Sequence, residues 1–233
     1  MLISVRNRLV AWLIERHPRI YLRWKKLGKH RLGADPGFLR AHAHLVREFA
    51  SLQRFEERYN LWALARSVSD RAGAFAEVGV YRGGSAFLLC AAKDDTPLHL
   101  FDTFGGMPAV NPASDGAFRA GDFSDCSLDQ VRAFLAGHSN LHFHAGIFPA
   151  SAALLTDADL KFKFAHLDVD LHASTIDALN WFYPRMVRGG LIVTHDYNDV
   201  TVPGVKRAFD DFFSDKPEVV VPLWFSQAVV TKL

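Results

Sequence analysis

Short apolar runs alternate with longer segments of helical periodicity over most of this chain. Runs at 75–80, 98–101, 141–144, 164–167, 191–194 and 219–221 are each of strand length, separated by helix-compatible stretches, and 227–231 supplies a last one. That alternation is the pattern of βαβ units around a largely parallel sheet, so the predicted fold is α/β and Rossmann-like with seven strands. Ahead of the first strand, residues 38–69 carry helical patterning with no internal Gly or Pro until Arg71-Ala72-Gly73 interrupts it. Stretch 105–127 is the least regular, rich in Gly, Pro, Asn, Asp and Ser. A connection that long in a compact domain predicts a lid, held by little apolar surface of its own and mobile when empty.

Residues 1–33 stand apart. Leu2, Leu9, Leu13 and Ile20, and beside them Ile3, Val10, Ile14 and Tyr21, recur at helical spacing, with Trp12 and Trp24 among the charges. This arm holds nine Lys or Arg against the single acid Glu15, a formal +8, and leaves the remaining 200 residues with eighteen bases against twenty-four acids, −6. It predicts a basic amphipathic helix that packs on the body or a sister subunit, or rests on an anionic membrane surface. The apolar run 9–14 is short and followed by Glu15-Arg16, which disfavours a cleaved signal, and no segment is long enough to span a bilayer. The division expected is therefore an arm at 1–33 and a domain at 34–233, in a protein whose 49% hydrophobic residues suffice for one sizeable core. The two cysteines, Cys90 and Cys126, form no metal-type cluster, and a reduced, cytoplasmic setting is expected, with peripheral membrane contact as the arm's alternative. An acidic body with its bases confined to the arm disfavours nucleic-acid binding.

Open α/β sheets bind ligands beyond the carboxyl ends of their strands, so those ends carry the chemistry. They read Gly79-Val80-Tyr81-Arg82-Gly83-Gly84, Asp102, Asp168-Val169-Asp170 and His195-Asp196. The first has the outer glycines of a phosphate-binding loop, but Ser85 stands where the lysine belongs. Its GxxxGG spacing also lacks the middle glycine of the dinucleotide GxGxxG, leaving NAD and an oxidoreductase as the weaker alternative. What remains suits a cofactor with an amino-acid tail and a ribose but no phosphate.

Together these motifs, Glu77 to Ser85, Phe101-Asp102-Thr103-Phe104-Gly105-Gly106-Met107-Pro108, Leu167 to Thr175, Tyr183-Pro184 with Gly189-Gly190, and His195-Asp196-Tyr197, resemble the macrocin O-methyltransferase family over residues 56–232. A looser likeness extends to catechol O-methyltransferases. The resemblance implies a class I methyltransferase sheet with an antiparallel last strand, and S-adenosylmethionine-dependent, typically magnesium-dependent methylation of sugar hydroxyls. It assigns Glu77, Gly79, Tyr81, Gly83, Ser85, Asp102 and Thr103 to the cofactor, with Glu77 orienting the turn, Ser85 on the carboxylate and Asp102 on the ribose. Asp168, His195 and Asp196 become the metal ligands, and Asp168 and Asp170 the catalytic carboxylates, with His172 shaping the acceptor pocket. The family usually has Asp where His195 stands, so manganese or another metal competes with magnesium for the site. Two partners are expected, a small-molecule or glycan acceptor and further copies of the chain in a homo-oligomer. A protein that keeps the adenosyl pocket but has lost catalysis through His195 is the rival from another class.

Overall fold

A computed structural model describes residues 2–25, 27, 35–48, 51–116, 118–153, 155, 157 and 159–233. The expected end of the basic arm, 28–33, lies outside the described residues. Strands β1 (Ala74–Val78), β2 (Leu98–Asp102), β3 (Leu141–Ala145), β4 (Phe162–Leu167), β5 (Met186–Thr194), β6 (Val221–Pro222) and β7 (Ala228–Thr231) form one sheet in the order β3-β2-β1-β4-β5-β7-β6. Pairings from β3 through β5 are parallel, and β7 runs antiparallel to both neighbours. The expected seven-stranded architecture with an antiparallel last strand is thus present. The sixth run lies two residues later than its apolar pattern suggested, because Val219 and Val221 are solvent-exposed and only Val221 and Pro222 pair with β7.

Helices α1 (Leu2–Arg16), α2 (Pro18–Trp24), α3 (Pro36–Glu48), α4 (Phe55–Ser67), α5 (Gly84–Ala92) and α6 (Leu128–Phe134) serve one apolar core. Helices α7 (His172–Phe182) and α8 (Pro203–Phe213) serve the other. Central strands are buried on both faces, so side chains part by alternation. Phe75 and Phe164 join the first core, while Ala74, Ala76, Val78, Ala165 and Leu167 join the second. Trp181 and Phe182 pack with Phe101, Phe148 and Phe162 beneath the sheet.

The helical patterning of 38–69 resolves into α3 and α4 separated by a non-helical stretch through Ser51 to Arg54. No Gly or Pro marks the break because side chains make it. Glu57 reaches back to accept the Arg54 amide at 2.7 Å, capping α4, and the Gln53 amide donates to Ser51 Oγ at 3.3 Å. The basic arm divides at His17: Pro18 occupies the first turn of α2, where its missing N–H costs nothing. Among the described residues no helix is long and apolar enough to cross a membrane.

The C-terminal edge is fastened by a buried carboxylate. Glu218 accepts Lys232 Nζ at 2.5 Å, the Tyr183 hydroxyl at 2.8 Å and the Leu233 amide at 3.2 Å. Burial opposes its charge, but these donors outweigh it and hold the carboxyl at about 2. A depressed folded-state pKa contributes stability that is complete above the unfolded carboxylate value and lost as pH falls toward 2. Glu218→Gln should therefore cost about 2 kcal/mol at neutral pH and much less at pH 3. Urea unfolding of both proteins at the two pH values checks this, and an equal loss at both would contradict it.

Candidate active site

The carboxyl ends of β1, β2, β4 and β5 open onto one cavity of about 380 Å³, lined also by Ser51, Leu52 and Gln53 and by the 105–127 connection. Its first wall is the turn between β1 and α5. Val78 O accepts the Asp168 amide and the Gly79 amide donates to Phe101 O, so the turn lies across the ends of β2 and β4. A side chain at Gly79 would place Cβ 1.8 Å from the Asp168 carbonyl oxygen, and its φ of +86° is open to glycine alone at no cost. Asp102, at the end of β2, fixes the same turn: Oδ2 accepts the Val80 and Tyr81 amides at 2.7 and 2.9 Å, and Oδ1 accepts the Phe104 amide at 2.7 Å.

Not every expected cofactor residue reaches the cavity. Gly79, Tyr81, Ser85, Asp102 and Thr103 line it. Gly83 does not; its backbone packs against Val131 and Phe134 of α6, and Gly84 lines the wall in its place. Glu77 is wholly buried in β1, opposite His166 of β4 in the sheet register, with Oε1 2.8 Å from His166 Nδ1. Burial pushes Glu77 up to about 8 and His166 down to about 4. This pair lies in the sheet below the turn, outside the cavity. On the rim, the Tyr81 hydroxyl donates to Asp125 at 2.8 Å, and Arg82 Nη2 bonds the same carboxylate at 2.5 Å.

The far wall gathers Asp168, Asp170, His195 and Asp196. His195 Nδ1 lies 2.8 Å from Asp196 Oδ1 and 3.4 Å from Asp168 Oδ1. Its Nε2 faces Glu57 Oε2 at 3.5 Å, too long for a good hydrogen bond. Burial disfavours a charged imidazole, yet Asp168, Asp196 and Glu57 outweigh it and hold His195 well above its ordinary value. Burial and the charges of Asp168 and Asp196 raise the Asp170 carboxyl well above the usual range. Asp196 is buried too, but its bond to His195 prevails and holds it low. Asp170 and Asp196 both sit at positive φ, +57° and +59°, a conformation Asp tolerates better than most residues. His172 does not line the cavity: it opens α7, its amide donating to Asp115 at 2.9 Å, while Ser174 lines the wall instead.

Two further residues join the cluster from outside the strand ends. Gln53 Nε2 donates to Asp168 Oδ2 at 3.3 Å, and its buried Oε1 has no partner. Glu57 accepts the Ser226 hydroxyl at 2.7 Å as well as capping α4; burial opposes its charge, but His195, the Arg54 amide and Ser226 hold it at about 2. Periodicity marks neither residue, since Gln53 lies 115 positions from Asp168.

The 105–127 connection covers the cavity with Met107, Pro108, Phe118 and Phe123. It is tied down more firmly than its composition suggested. Asp115, 2% exposed, accepts the Asn111 amide through Oδ2 and the His172 amide through Oδ1, and the Met107 and Gly121 backbones pair.

The model of the macrocin-O-methyltransferases matches residues 54–224. The chain belongs to this family. Among its relatives, an 8-demethyl-8-(2,3-dimethoxy-alpha-L-rhamnosyl)-tetracenomycin-C 4'-O-methyltransferase of Streptomyces olivaceus is 31% identical over 138 residues, 54% of this chain and 53% of the relative. A demethyldecarbamoylnovobiocin O-methyltransferase of Streptomyces niveus is 28% identical over 153 residues, 60% of this chain and 58% of the relative. The chain spans little more than half the length of these curated relatives. The calicheamicin methyltransferase CalS11 shares the fold, with a TM-score of 0.66 at 18% identity over 97% of this chain and 90% of that one. Within this macrocin-O-methyltransferase family member, the turn after β1 and the strand-end carboxylates thus line one cavity.

Steric demand at Gly79 is separable from its conformation. Gly79→Ala should destabilise by more than about 3 kcal/mol, because backbone meets backbone as well as strained φ. Gly121→Ala, at φ +87° with nothing near its Cβ, should cost only about 1 kcal/mol of strain. Equal losses on chemical denaturation would remove the close-approach argument.

Proposed function

We propose that this protein is an S-adenosylmethionine-dependent O-methyltransferase acting on a hydroxyl of a sugar or glycosylated natural product, assisted by a divalent cation. One observation supports it above the rest, the charge of the cavity. Five aspartates line it, Asp102, Asp168, Asp170, Asp196 and Asp199, against Arg82 and His195, both already engaged by carboxylates. A pyrophosphate would be repelled there, whereas a ligand carrying a sulfonium and an ammonium is attracted. S-adenosylmethionine supplies an activated methyl group on its sulfonium. The chain offers Ser85 at the N-terminal turn of α5 for a carboxylate, and Asp102 with Thr103 for a ribose.

Asp168, His195 and Asp196 fit a divalent cation: each presents one ligand atom, and these atoms lie within 4.8 Å of one another, a span one ion with bonds of about 2.0–2.4 Å can bridge. Such an ion supplies Lewis acidity toward an acceptor hydroxyl. Magnesium suits the two carboxylates, and the imidazole extends the choice to manganese. Asp168 and Asp170, on the turn leading into α7, line the same cavity and are the proton acceptors of this reading, Asp168 ahead of Asp170. Gln53 orients Asp168 through its amide.

Incubation with labelled cofactor, manganese and a panel of deoxysugar glycosides, read by mass spectrometry, should give S-adenosylhomocysteine and an acceptor heavier by one methylene. Calorimetric binding of NAD and none of S-adenosylmethionine would overturn the reading. Asp102→Asn removes the charge that receives the ribose and should weaken S-adenosylmethionine about thirty-fold, close to 2 kcal/mol; unchanged affinity would take Asp102 out of the site. Asp196→Asn should abolish manganese binding by calorimetry while leaving cofactor affinity within about three-fold. Manganese binding equally to both proteins would place the ion elsewhere.

A further inference from the structure

Helix α1 has two apolar faces, and the fold uses one. Asn7, Ala11 and Ile14, spaced i, i+4, i+7, are buried, and α1 packs along α3, where Glu15 also pairs with Arg47. Half a turn around the helix, Val5, Leu9 and Trp12 repeat the same spacing and are 64, 63 and 49% exposed. Arg16 continues their stripe, with Arg6 and Arg8 on its flanks, all three exposed. In α2 the pattern recurs one turn long: Ile20 and Trp24 are 56 and 66% exposed, beside exposed Arg19 and Arg23. Two tryptophans, three aliphatic side chains and five arginines therefore face solvent from a segment whose single acid, Glu15, is already paired.

We infer that this second face of α1 and α2 docks the protein on an anionic lipid bilayer. Charge selects the occupant. A second copy in an isologous contact would set these arginines against their own kind, with no unpaired acid in α1 or α2 to receive them. A nucleic acid would satisfy the arginines but leave Val5, Leu9 and Trp12 against a hydrated phosphate backbone. An anionic bilayer answers both halves of the pattern, with apolar side chains entering the acyl boundary, indole rings at headgroup level and guanidinium groups on the phosphates. This docking depends on the arm alone and stands whatever the cavity binds.

The full chain should float with phosphatidylglycerol-rich vesicles, remain behind with pure phosphatidylcholine vesicles, and be released by raised salt. Leu9→Glu and Trp12→Glu change exposed positions and should abolish flotation without altering the melting temperature. Removing Arg8, Arg16 and Arg19 together as glutamines should lower partitioning by about two orders of magnitude, roughly five-fold for each guanidinium. Equal recovery with both lipids, or no flotation at low salt, overturns the inference. So does a wild-type dimer in lipid-free sedimentation that Leu9→Glu dissociates, since the face would then belong to a second copy.

Discussion

Carboxylates crowded at the end of the sheet impose the constraint on which the site depends. Asp168, Asp196 and Glu57 converge on the imidazole of His195, with Asp170 beside them, in a partly desolvated crevice where like charges repel strongly. Three of them receive donors from distant places: Asp168 from Gln53 in the stretch before α4, Glu57 from Ser226 in the loop before β7, and Asp196 from His195 just beyond β5. Glu57 thereby caps α4, receives the strand-edge loop and faces the imidazole with one carboxyl group. Loss of His195 would leave these carboxylates facing one another without their one cationic partner, at a cost of about 3–5 kcal/mol.

Below the cavity the same problem is solved by proton sharing. Glu77 and His166 meet because the parallel register of β1 and β4 sets them opposite each other, and burial moves their affinities for a proton in opposite directions, so the two share one hydrogen bond without net charge. The turn directly above can then run across the end of β4 at Gly79, with Asp102 gathering its amides. Cavity wall and sheet interior are thus one hydrogen-bonded construction.

Strand ends were legible in the sequence because their chemistry is local: an apolar run stops and a glycine, an acid or a histidine follows, as at Gly79, Asp102, Asp168 and His195. The alternation of runs likewise announced the sheet. Gln53 and Glu57 were not legible in their roles, because their partners lie on strands far along the chain and only sheet closure brings them together. The interruption between α3 and α4 escaped for a related reason, being made by side-chain bonds to Arg54 and Gln53 amides instead of by Gly or Pro. For the arm, helical periodicity cannot say which of two apolar stripes the body covers. Ile14 and Tyr21 went inward, and Leu9 and Ile20 stayed outside.

Asp115 divides what covers the cavity. By fastening the middle of the 105–127 connection to the first turn of α7, it replaces one long loop with two short ones, and shorter loops lose less freedom on closing. Met107 and Pro108 belong to the first and Phe118 and Phe123 to the second. The two halves remain joined where the Met107 and Gly121 backbones pair, so the roof is held at two points, to the first turn of α7 and to itself.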